Sequence, residues 1–113
     1  MPYIELKTNV EVTEESENAL IRAFGKDITL LPGKSEAHLM IEISGGLVMS
    51  FAGKKIPCAI AEVKLFKSST DKAYADLTAA MTRDISEELG IDPDCVYVKY
   101  DECYHWGMGG YNF

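Results

Sequence analysis

The sequence predicts an α+β fold: two β-α-β pseudo-repeats that form a four-stranded mixed sheet with two helices on one face. Three observations carry this. Strand-like and helix-like stretches follow one another in the order strand, helix, strand, twice over. The two passages superpose at an offset of 57 residues, with Leu6 on Val63, Leu20 on Leu77, Phe24 on Met81, Gly33 on Gly90 and Ile41 on Val98. At 113 residues the chain has the length of one domain. Both passages are therefore assigned to a single domain over 1–113, with pseudo-repeats of about 2–57 and 58–113.

The first strand opens at Pro2. Ile4 and Leu6 alternate with Glu5 and Lys7 through Thr8, the mark of a half-buried strand. A proline suits the first residue of a strand, where no ladder donor is required. Thr13 is the expected N-cap of the first helix, with Glu14 and Glu15 at the positive end of its dipole. Ala19, Leu20, Ala23, Phe24 and Ile28 give an apolar stripe, and Pro32-Gly33 ends it. His38 to Ile43, H-L-M-I-E-I, reads as the second strand. Ala59 to Phe66 is the third, and Ser68, Ser69 and Thr70 offer caps for the second helix. Tyr74, Leu77, Met81, Ile85 and Leu89 form its stripe, and Gly90 closes it. Cys95 to Tyr100, C-V-Y-V-K-Y, completes the set. In each unit the two strands should run parallel after a right-handed crossover. One sheet face is left uncovered by helices, which implies a partner subunit.

Composition narrows the function classes. A chain this long buries roughly two-thirds of its unfolded surface, so its core needs no staples. The net charge of -7 argues against nucleic acid or an anionic membrane as partner. Cys58, Cys95 and Cys103 are odd in number and include no C-x-x-C, which favours a reducing compartment. No apolar run is long enough for a membrane span, and Glu5 and Lys7 interrupt any signal-peptide core. The expected location is the cytoplasm.

Several motifs fail on inspection. Gly33-Lys34-Ser35 resembles the end of a P-loop, but the first glycine of that motif would fall on Ile28. Cys103 and His105 make only half a metal site. Pro2 and Lys34 hold up better. Removal of Met1 would leave Pro2 as a secondary amine on a rigid ring. An α-amino group titrates near about 7.7–8.0, and burial or a nearby cation lowers it. Such an amine is a general base suited to neutral pH. Lys34 lies four residues before the second strand, where a β-α-β turn can bring it towards Pro2.

The stretches M-P-Y-I-E-L-K-T-N-V, P-G-K-S, M-S-F-A-G-K-K-I-P-C-A, D-P-D-C-V-Y-V-K-Y and W-G-M-G-G-Y-N-F span the chain from end to end. They resemble the macrophage migration inhibitory factor family, within the tautomerase superfamily. The resemblance implies a homotrimer, a trimeric β-α-β barrel in which three sheets wrap a central channel. It implies keto–enol tautomerisation of small α-keto acids such as phenylpyruvate, without metal or organic cofactor. The family's catalytic base matches Pro2 and its carboxylate-binding lysine matches Lys34. A backbone amide for the carboxylate falls at Phe66. A pocket tyrosine from the next subunit matches Tyr97, and Trp106 and Phe113 match the aromatic lining. Lys99 stands where vertebrate members carry asparagine, adding a cation and favouring more acidic substrates. Ala61 breaks the family's C-x-x-C, so oxidoreductase activity is not expected. The alternative function is cytokine-like signalling through a protein receptor, since family members can leave cells without a signal peptide.

Overall fold

The computed structural model describes residues 1–113. The elements are β1 (Pro2–Thr8), α1 (Glu14–Asp27), β2 (Met40–Ser44), β3 (Ala59–Phe66), α2 (Asp71–Leu89) and β4 (Val96–Cys103). A terminal hairpin of β5 (Gly107–Met108) and β6 (Tyr111–Asn112) follows. The sheet order is β2-β1-β3-β4. β1 and β2 are parallel, as are β3 and β4, while β1 and β3 pair antiparallel at the centre. Each β-α-β unit thus supplies one half of a mixed sheet. No helix is long and apolar enough to cross a membrane.

Local chemistry sets the helix bounds. Thr13 Oγ1 accepts from the Ser16 N–H at 3.1 Å, and Thr70 Oγ1 accepts from the Ala73 N–H at the same distance. Gly90 closes α2 at φ 65°, a left-handed conformation that costs glycine nothing. Ile28 sits just past α1, in a 3-10 turn (Ile28–Leu30) that keeps it facing the core. Two strand bounds differ from the sequence pattern. Ser35 caps a 3-10 turn over Glu36–His38, so β2 starts at Met40 and His38 stays outside it. β4 continues past Tyr100 to Cys103 because β3 offers it a full ladder, out to the pair Phe66 and Cys103.

The core lies between sheet and helices. Ile4, Leu6, Val63 and Leu65 meet Leu20 and Phe24 of α1 and Leu77, Met81 and Ile85 of α2, all 0% exposed. The strands bury their apolar positions here, on the helix side. The opposite face is left uncovered by helices, as expected, and its centre is charged. Glu5, Glu62 and Lys99 stand in register across three strands. The two glutamates would repel, and lysines on the same face offset this: Lys64 pairs with Glu5 at 3.1 Å and Lys99 with Glu62 at 3.3 Å. The same open face also carries exposed apolar side chains towards its edges, Met40 in register with Tyr3 and Tyr97 in register with Ile60, and others lie at Val48 and at Tyr104, Tyr111 and Phe113 of the tail.

One buried pair makes stability depend on pH. Asp27 at the end of α1 and Asp84 on α2 each bury an Oδ2 that has no hydrogen-bond partner. Burial, then the neighbouring Asp84, pushes the Asp27 carboxyl up to about 7, and Arg83 opposes the rise. The folded state therefore holds a proton that the unfolded chain releases near its ordinary value of 3.8. Stability should fall as pH rises from about 4 to about 7. Asp27→Asn should remove most of that slope and raise Tm at pH 8. Identical Tm–pH curves for the two proteins would show that the pair carries no such coupling.

Candidate active site

Two motifs lock the central strands together. The Thr8 side chain, fully buried, donates to the Cys58 carbonyl at 2.7 Å and accepts from the Val10 N–H. Asn9 donates to the Ile56 carbonyl at 2.7 Å and accepts from the Cys58 N–H at 3.0 Å. T-N-V at the end of β1 thereby grips P-C-A at the start of β3. The register that follows sets Pro2 beside Leu65, with Phe66 just beyond.

Three groups converge at that end of the sheet. The Lys34 Nζ donates to the Phe66 carbonyl at 3.1 Å. The Phe66 N–H donates to the Met1 carbonyl at 3.2 Å. The Met1 amine is held below its ordinary value of 8.0, first by burial and then by the Lys34 ammonium. Pro2 itself is buried. Against it opens a cavity of about 390 Å³, lined by Met1, Pro2, Tyr3, His38, Met40 and the run His105 to Met108. Trp106 belongs to that run. Its carbonyl accepts from the Phe113 N–H at 2.9 Å, and the Phe113 ring sits 6.1 Å from that of Phe66.

Pro2, Lys34, Phe66, Trp106 and Phe113 are thus neighbours within one chain. Tyr97 and Lys99 are not part of this group. Tyr97 pairs through Ile60 with Lys7, five residues along β1 from Pro2 and two strands across. That places it roughly 19 Å from Pro2 by strand geometry. It packs edge-on against Phe51 at 5.6 Å and is exposed. Lys99 spends its charge on Glu62 and on Asp101, the latter at 3.1 Å. Sequence reasoning missed Tyr3, His38, Met40, His105 and Met108 as lining. Tyr3 could have been found from its place beside Pro2, on the face opposite Ile4. The histidines gave no signal, because turns rather than periodic elements aim them.

Two β-α-β units in one mixed sheet, with a proline heading the first strand above a cavity, define a protein of the tautomerase superfamily. The profile of the family described as Macrophage migration inhibitory factor (MIF) matches residues 1–112, and the chain belongs to that family. It is similar to Leishmania major MIF2, whose crystal structure superposes with a TM-score of 0.94 at 26% identity, over 100% of this chain and 97% of that one. It is 25% identical over 100 residues to a macrophage migration inhibitory factor homolog from Brugia malayi, covering 88% of this chain and 86% of that protein. The structure of a "Q0 fused 4-OT wild type symmetric trimer" shares the fold at 20% identity, with a TM-score of 0.78 over 89% of this chain and 85% of that one.

Proposed function

We propose that this protein is a keto–enol tautomerase for α-keto acids such as phenylpyruvate, with Pro2 as the catalytic acid/base once Met1 has been removed. The meeting of Met1, Lys34 and Phe66 carries the proposal. The Met1 carbonyl now occupies the Phe66 N–H. Without Met1, that N–H and the Lys34 ammonium become two donors for a carboxylate, beside a free Pro2 amine. The same burial and the same lysine that depress the Met1 amine would keep Pro2 neutral near pH 7.

The reaction uses these parts directly. The Pro2 nitrogen takes a proton from the carbon next to the ketone. The C–H electron pair becomes the C=C bond, the carbonyl π pair moves to oxygen, and that oxygen receives the proton. Lys34 and the Phe66 N–H fix the carboxylate, and so the reacting carbon, against Pro2. Trp106 and Phe113 supply an apolar wall. One amine moves the proton both ways, so no step calls for a metal or organic cofactor.

The proposed assembly is a homotrimer in which Tyr97 and Lys99 reach the site from the neighbouring subunit. Two observations support it. Exposed apolar residues lie on both edge strands of the sheet, Met40 on β2 and Tyr97 on β4. The same fold occurs in a symmetric trimer. Lys99 would enter with its charge already shared with Glu62 and Asp101.

The test is ketonisation of enol-phenylpyruvate, followed by absorbance. Lys34→Ala should lower kcat/KM roughly ten- to a hundredfold, the worth of one charge-assisted bond, with much of the loss in KM. Wild-type protein that starts at Pro2 yet gives no rate above buffer would overturn the proposal.

A further inference from the structure

We propose that His38 and His105 form a second anion subsite in the Pro2 cavity, so that the preferred ligands are α-keto acids bearing another carboxylate at their far end. This rests on the tautomerase reading and narrows its substrate class. The chain has two histidines, and both line this one cavity. It has 18 acidic residues, and none lines it. In a protein of net charge -7, that segregation marks the cavity as a place for anions.

The two histidines are set by structured backbone. His38 ends the 3-10 turn capped by Ser35. His105 is held through its carbonyl, which accepts from the Cys103 thiol at 2.8 Å, leaving its ring nitrogens free for a ligand. Lys34 and Phe66 lie outside the lining, so the imidazoles form a second pole, apart from the proposed site of the keto acid's own carboxylate. Tyr3, Met40, Trp106 and Met108 supply apolar lining in the same cavity, suited to a ring. A volume of about 390 Å³ matches a small aromatic acid.

Other charged and titratable groups near the cavity are accounted for, and Lys99, proposed to enter from the neighbouring subunit, already spends its charge on Glu62 and Asp101. The Tyr3 hydroxyl donates to Glu42 at 2.7 Å, which pushes the phenol up to about 12. Glu36, in the same turn as His38, lies against Gly25 of α1 and outside the lining. The N-terminal amine, with Lys34 beyond it, faces any ligand's first carboxylate.

Trp106 is the only tryptophan and lines the cavity, so its fluorescence reports occupancy. The probes are cinnamate and 4-carboxycinnamate, which share the first carboxylate and differ in the second. Taking the ratio of their affinities cancels the contribution of Pro2 and Lys34. Protein beginning at Pro2 should favour 4-carboxycinnamate about tenfold near pH 5.5. In the double variant H38Q/H105Q, checked by circular dichroism, the ratio should be close to 1. Equal affinities in wild-type protein near pH 5.5, or a preference that survives the double variant, would overturn the subsite. Phenylpyruvate turnover is measured separately. Dianion preference without turnover refutes the tautomerase reading and keeps the subsite; turnover without preference does the reverse.

Discussion

Protein that keeps Met1 should ketonise enol-phenylpyruvate no faster than buffer, and protein beginning at Pro2 should be active. Met1 blocks the proposed site twice. It turns the Pro2 nitrogen into an amide, whose lone pair is delocalised and takes no proton at neutral pH. Its carbonyl also occupies the Phe66 N–H at 3.2 Å, where the substrate carboxylate should bind. Intact-mass measurement assigns each preparation to one form. Pro2→Gly, after the same processing, keeps an amine but loses the rigid secondary one. A positioned general acid/base contributes about 10²–10⁴-fold, so kcat should fall by about 10² or more. The pH profile gives a further reading. Burial and Lys34 lower the N-terminal amine from 8.0, which favours the neutral base. Wild-type kcat/KM should therefore rise with pH through an apparent pKa below that value. Full activity in protein retaining Met1 would remove Pro2 from the mechanism.

The sequence was readable where neighbours along the chain decide the structure. Thr13, Thr70 and Gly90 bound their helices through contacts within one turn. The β1 and β3 alternation was clear because one face of each strand packs on the helices. Legibility failed where a distant partner decides. His38 fits the alternation of H-L-M-I-E-I, yet the Ser35 cap draws it into a 3-10 turn and towards the cavity. Asp101, Glu102 and Cys103 have no strand-like pattern, and β3 recruits them through its ladder. An open sheet face was legible from the order of elements, but the charge at its centre was not. Alternation does not say which side the helices take, and here they take the apolar one. The polar side is held by Lys64 and Lys99 on pairings that no local pattern encodes.

Two inactive variants should restore activity when refolded together. In the proposed ring, Pro2 and Lys34 come from one chain and Tyr97 from its neighbour. Within one chain Tyr97 sits five residues along and two strands across from Pro2, too far to share a substrate. Its exposure beside Phe51 leaves it available to an adjoining subunit. A heterologous ring of three has three such shared sites. Let Pro2→Gly and Tyr97→Ala be unfolded together and refolded in equal amounts. Each mixed ring contains one site at which a chain with intact Pro2 precedes a chain with intact Tyr97. Random assembly makes about three-quarters of the rings mixed, so about a quarter of wild-type activity should return. Each variant refolded alone should be trimeric and strongly impaired, which fixes the baseline. Mixed rings seen by native mass spectrometry without any regained activity would mean that each site is built within a single chain.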